Sequence, residues 1–146
     1  MENSEFLQRV AASFTRQKFM QFIGAKLDIV RDGYCEISIP YREELGQQHG
    51  FFHAGIVGTL ADNVAGYAAY SAMHPDSSIL TVEFKINLLA PAKGPALLAK
   101  GFLVKKGKTL TVCRSEVFNV SDGKEELCAI AQSTLIELRN SSDSKK

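Results

Sequence analysis

Hydrophobic and polar positions fall into three regimes along the chain. Near the start, Phe6, Val10 and Phe14 recur at helical spacing, and Asn3 or Ser4 can cap the turn before them. A second amphipathic piece, FTRQKFMQFIG, stops at Gly24, a natural helix end. Two short strands follow, AKLDIV and YCEISIP, separated by the turn Arg31-Asp32-Gly33; Cys35, Ile37 and Ile39 alternate with Glu36 and Ser38. From Ala54 to about Met73 the pattern is apolar on every side, which predicts a buried helix ending before His74-Pro75. Beyond it the alternation is that of strands. ILTVEFKINLL places Leu80, Val82, Phe84, Ile86 and Leu88 inward, with Thr81, Glu83, Lys85 and Asn87 outward. ALLAKGFLVKK, TLTVCRSEVFNV and ELCAIAQSTLIEL come next, joined by tight turns at Lys106-Gly107-Lys108 and Asp122-Gly123.

These elements predict an α+β protein in which a long antiparallel sheet wraps a central helix, preceded by short N-terminal helices. Residues 1–139 read as a single domain and 140–146 as a disordered tail. The helix carries Gly55, Gly58 and Gly66, each costing roughly 1 kcal/mol against alanine. Close approach of another backbone is the expected compensation. The length alone also suits a membrane span, but Asp62, Asn63, the glycines and the polar strands around it argue against one.

Composition narrows the function classes. A net charge of +1 over 146 residues gives no electrostatic case for nucleic acid or an anionic membrane. Cys35, Cys113 and Cys128 have no CxxC spacing and lie in strand-like settings, so buried reduced thiols are expected. MENSEFLQRV lacks the pattern of a secretory signal, and with the unpaired cysteines this makes a cytoplasmic location the expectation.

One residue stands out chemically. Asp62 is a lone carboxylate in an otherwise apolar helix, and burying a carboxylate is costly unless it is paired, hydrogen-bonded or in use. The helix start at Ala54 offers backbone N–H groups with no intrahelical partner, able to hold a polarised carbonyl oxygen. His53 and Gln47 lie just before it. Asp62, however, is eight residues on, ~12 Å further along the axis. One subunit cannot easily bring both groups to one carbonyl, whereas a two-fold dimer with antiparallel central helices can. A satisfied buried acid, a capping His53 and a surface Gln47 are the plainer alternatives. His49 and His53 have no evident third partner for a metal. Lys105, Lys106 and Lys108 form either a solvated hairpin tip or a contact to ligand phosphates.

Gln47-x-x-Gly50-x-x-His53-Ala54-Gly55, followed by Thr59-Leu60-Ala61-Asp62-Asn63, resembles the signature of the hotdog-fold acyl-CoA thioesterases of the PaaI-like (phenylacetate-pathway) type. Ile86-Asn87-Leu88-Leu89-Ala90-Pro91-Ala92 and Lys105-Lys106-Gly107-Lys108-Thr109-Leu110 extend the similarity, which covers roughly residues 20–138. Ala54 stands where the family usually has glycine, and Gln47 where many relatives have Asn. The resemblance implies a six-stranded antiparallel sheet around the helix, a homodimer with a continuous sheet and a dimer of dimers. It further implies hydrolysis of an acyl-CoA thioester with no metal or cofactor. Asp62 would be nucleophile or general base, and Gln47 would position water or the thioester. The N–H of Ala54, with that of Gly55, would polarise the carbonyl, while His53 braces the loop. Thr81, Phe52, Asn63, Lys105 and Lys106 are the candidate substrate contacts, and Phe51, Tyr67 and Tyr70 the further candidate linings of an acyl pocket. A non-catalytic acyl-CoA-binding protein and a hotdog dehydratase or hydratase are the rival expectations.

Overall fold

The structure, a computed structural model, describes residues 2–141, with side chains from residue 5 onward. The expected cap at Asn3 or Ser4 and most of the expected tail lie outside what is described. Helices α1 (Glu2–Arg16) and α2 (Lys18–Ile23) come first, and Gly24 closes α2 at a left-handed φ of 80°, the conformation that glycine adopts without steric penalty. Strands β1 (Lys26–Arg31) and β2 (Tyr34–Pro40) form a hairpin through Gly33. A loop with one 3-10 turn leads to α3 (Ala54–Ser71). Strands β3 (Ser77–Leu88), β4 (Ala96–Lys106), β5 (Leu110–Ser121) and β6 (Lys124–Arg139) complete the chain. They form one six-stranded sheet in the order β1-β2-β4-β5-β6-β3, with every pairing antiparallel.

The sheet curls around α3, and the core lies between them. Cys35, Ile37 and Ile39 of β2, Leu97 and Ala99 of β4, Val117 of β5 and Ala129 of β6 face Leu60, Val64 and Ala68 of the helix. Gly101 of β4 lets the helix settle close: a Cβ there would collide with the carbonyl oxygen of Val64. The helical glycines do not have this role within the chain. At Gly58 and Gly66 a Cβ would meet nothing within 4 Å, so no backbone of the same chain packs against them. They lie instead on an uncovered stripe. Gly55, Gly58, Thr59, Asp62, Asn63 and Gly66 are the positions of α3 after its first residue that are not buried up to Ser71.

Strand β3 departs from its expected alternation. Thr81 pairs with Leu135 but Glu83 pairs with Thr134, so Val82 is an extra residue, a β-bulge that reverses the phase of the strand. C-terminal to it, Phe84, Ile86 and Leu88 lie opposite the inward residues Ser133, Ala131 and Ala129, as expected. N-terminal to it, Thr81 faces the helix and Leu80 turns away, opposite to expectation. β3 is also an edge of the sheet, and Leu80, Val82 and Leu88 remain 57%, 56% and 55% exposed.

The N-terminal helices close one side of α3. Arg9 donates to the carbonyls of Tyr70, Met73 and His74 at the helix end, at 2.8, 3.1 and 2.7 Å, and its guanidinium lies 4.3 Å from the Tyr70 ring centroid. The Tyr70 and His74 carbonyls also accept the Met73 and Ser77 N–H groups, at 3.1 and 3.0 Å, and a cation at this end of α3 complements the helix dipole. No helix of the described residues is long and apolar enough to cross a membrane.

Candidate active site

His53 ends the loop before α3 in an extended conformation and caps the helix: its Nδ1 accepts the Gly55 N–H at 2.8 Å. Its own N–H is held by the Leu45 carbonyl at 2.9 Å, so the turn is fixed from both sides. The Gly55 N–H, expected as a second donor to substrate, is therefore engaged by His53. The Ala54 N–H, exposed at the helix start, has no partner among the described residues and is the donor left for a ligand. Gln47 is positioned by backbone bonds across its loop, its N–H to the Phe51 carbonyl at 2.8 Å and its carbonyl from the Gly50 N–H at 3.1 Å. The Gln47 Oε1 accepts the His49 N–H, which leaves the Nε2 hydrogens to point elsewhere. Gln47, Phe51, Phe52, His53, Ala54 and Pro91 are among the residues lining a largely apolar cavity of about 560 Å³. Phe52 holds the strap to the far wall through its N–H bond to the Ala92 carbonyl at 2.8 Å. Cys128 also lines this cavity, but burial pushes its thiol up to about 11, so it stays protonated and is no nucleophile at neutral pH.

Asp62 sits in a different cavity, of about 1000 Å³, between α3, β3 and the α1–α2 junction. Burial pushes its carboxyl above the ordinary aspartate range, and a 2.8 Å hydrogen bond donated by Thr81 Oγ1 to Oδ1 opposes that rise. Asn63 beside it donates to Gln17 Oε1 at 2.9 Å, and Gln17 Nε2 donates to the Tyr67 hydroxyl at 2.7 Å. Gln17, Ser13 and Gly66, which are not among the contacts expected from the sequence, line this cavity too. Nothing in the spacing marks Gln17: it lies in the break between two helices, and only the packing of α1 on α3 brings it to Asn63.

The candidate residues thus fall into two separate cavities. Gln47, His53 and Ala54 share one cavity and Asp62, Asn63 and Thr81 the other, in keeping with the eight-residue step from Ala54 to Asp62. Lys105 and Lys106 line neither cavity. Lys106 instead donates to the Ala72 carbonyl at 2.8 Å, ten residues or ~15 Å along the axis beyond Asp62. Tyr70, expected near an acyl pocket, is buried in the core and lines neither cavity. Among the described residues no group of three or more His, Cys, Asp or Glu side chains gathers in a way that could hold a metal.

Comparison with known proteins identifies the family and the fold. Residues 49–126 match the sequence profile of the Thioesterase superfamily. A crystal structure of a thioesterase family protein from Silicibacter pomeroyi superposes with a TM-score of 0.89 at 43% identity, covering 92% of this chain and 98% of that one. The PaaI protein of the E. coli phenylacetic acid degradation operon superposes with a TM-score of 0.83 at 18% identity, covering 93% and 95%, a likeness of fold alone. Human acyl-coenzyme A thioesterase 13 is 25% identical over 126 residues, 83% of this chain and 88% of that protein. The fold is a hotdog fold of PaaI-like type, and the chain belongs to the thioesterase superfamily. It is a thioester hydrolase.

Proposed function

We propose that the protein hydrolyses acyl-CoA thioesters at two equivalent sites, each assembled from the Asp62 half-site of one subunit and the Ala54 half-site of a two-fold-related copy. The observation that carries this is the separation of the two half-sites on one rigid helix. Each is chemically incomplete alone: one offers a base with no oxyanion donor, the other an oxyanion donor with no base.

The exposed stripe on α3 and the apolar edge of β3 support such a partner. An unpaired edge strand with exposed Leu80, Val82 and Leu88 invites pairing with another strand. If Ala54 of one helix meets Asp62 of an antiparallel copy, the two-fold axis passes the midpoint, Gly58. There the missing side chain lets the helices approach closely.

In the assembled site the substrate carbonyl oxygen takes the Ala54 N–H of the partner subunit, and the Gln47 amide of that subunit holds the attacking water. Asp62, with a proton affinity raised by burial, removes a proton as the water oxygen attacks the carbonyl carbon. The tetrahedral oxyanion collapses, the C–S bond breaks, and the CoA sulfur leaves with the proton from Asp62. One N–H donor of this kind contributes ~3 kcal/mol to such a step.

Mixing two inactive variants tests the reading directly. Asp62→Asn and Gln47→Ala should each lose thiol release from acyl-CoA. Heterodimers formed between them carry one intact site of two, so a refolded equal mixture should recover about a quarter of wild-type activity. No recovery, with heterodimers demonstrated, would show that the site lies within one chain. A wild type that releases no thiol from any aryl- or alkyl-acyl-CoA would remove the hydrolase reading in favour of an acyl-CoA-binding protein.

A further inference from the structure

The cavity at Asp62 does not end at the carboxylate. It continues along α3 past Asn63 and Gly66 to Tyr67, and on its other side to Ser13 and Gln17 of the N-terminal helices. Gly66 forms an open stretch of this wall, since a Cβ there would meet nothing within 4 Å. At the end stand polar groups in a chain: Asn63 Nδ2 to Gln17 Oε1 at 2.9 Å, Gln17 Nε2 to the Tyr67 hydroxyl at 2.7 Å, and that hydroxyl 3.2 Å from Ser13 Oγ. Asn63 Oδ1 is buried with no partner, so the chain carries one acceptor more than it satisfies. Phe14 fixes Tyr67 from behind, with ring centroids 5.7 Å apart.

We propose that Gln17 and Tyr67 form a polar end wall of the acyl subsite, selecting acyl groups that carry a hydrogen-bonding group at the end remote from the thioester; Tyr67 lies five residues, ~7.5 Å of helix rise, beyond Asp62. The inference rests on Asp62 acting at the thioester. An alkyl terminus placed against these groups would displace water without replacing its hydrogen bonds. A hydroxyl both donates and accepts, so it meets the amide and phenol groups in either orientation. A site built to hydrogen-bond its substrate discriminates against the analogue lacking that group far more strongly than an apolar pocket discriminates by size. The bounded space between α3, β3 and the α1–α2 junction suits the compact acyl end of the substrate. The pantetheine arm is common to every acyl-CoA, so a wall that met the arm would not distinguish between acyl groups at all.

The test compares 6-hydroxyhexanoyl-CoA with heptanoyl-CoA, which differ only in a terminal hydroxyl against a methyl group. Wild type should favour the hydroxylated substrate in kcat/KM by about tenfold, a modest value for a wall still reached by water. Gln17→Met and Tyr67→Phe should each bring the ratio close to one, through KM for the hydroxylated substrate. A structural fault in either variant would lower both substrates alike and leave the ratio standing. Gly66→Val, which narrows the cavity while keeping the Gln17 and Tyr67 polar groups, should lower kcat/KM for both substrates relative to acetyl-CoA. A wild type that hydrolyses both without preference, or a ratio unmoved in both wall variants, would overturn the proposal while leaving the hydrolase reading intact. Absence of thiol release from any acyl-CoA would fail that underlying reading instead, and the wall with it.

Discussion

Thr81 Oγ1 donates a 2.8 Å hydrogen bond to Asp62 Oδ1, tying the edge strand to the exposed stripe of the central helix. The bond favours the ionised carboxyl, and burial disfavours it; burial is the larger of the two effects. Asp62 therefore holds its proton to a higher pH than an ordinary aspartate, and the carboxylate proposed as the base is lost as pH falls through that raised value. Removing the hydroxyl with Thr81→Val should raise it further. The acid limb of the kcat/KM profile should then move to higher pH, with activity below the limb falling about tenfold, the lower range for a hydrogen bond to a charged group. Thr81→Ser should restore the wild-type limb. A pH–rate profile unchanged in Thr81→Val would mean that the bond does not act on the reacting group.

The same carboxylate is a burden on the fold. Because its pKa is raised above the unfolded value, ionising Asp62 weakens the native state as pH rises through that interval. Asp62→Asn should therefore match or exceed the wild-type Tm at neutral pH, and the difference should shrink in acid, where both proteins are uncharged at that position. Thiol release should fall at least ~100-fold. Calorimetry across pH, beside a thiol assay, separates this from a structural acid, for which the neutral-pH Tm would drop.

Gly58 offers a sharper handle on assembly than the active-site residues do. Within the subunit it touches nothing that a side chain would disturb. Gly58→Leu should leave helix content and subunit folding intact, yet give a monomer by sedimentation and abolish activity. An active dimeric Gly58→Leu would move the two-fold axis away from this position.

Gly101→Ala should do the reverse. Its Cβ would be driven into the backbone carbonyl of Val64, which cannot rotate aside. Overpacking at such a point costs about 3 kcal/mol, read as a lower urea midpoint at unchanged slope.

Much of this was legible before any coordinates. The helix start at Ala54, the hairpin turns and the core face of β2 follow from local pattern, and the separation of Asp62 from Ala54 is fixed once the segment is helical. The bulge at Val82 was not legible, because Leu80, Val82, Phe84, Ile86 and Leu88 alternate without interruption; the register with β6 decides which side each side chain takes. Nor was the pairing of Gln17 with Asn63 and Tyr67, or of Gly101 with Val64. Each joins positions distant in the chain whose individual residue types are unremarkable, and only packing brings them together. The glycines of α3 are plain in the sequence, but their open side depends on what the sheet leaves uncovered.

The helix from Ala54 to Asp62 behaves as a ruler, and rulers do not tolerate insertions. One added residue between them would turn Asp62 by about 100° and carry it off the Thr81 side, besides lengthening the interval by ~1.5 Å. A surface turn such as Asp122-Gly123 can absorb added length at its tip. Change in chain length should therefore accumulate in the turns, while the eight-residue step along α3 stays the same length for as long as the site works.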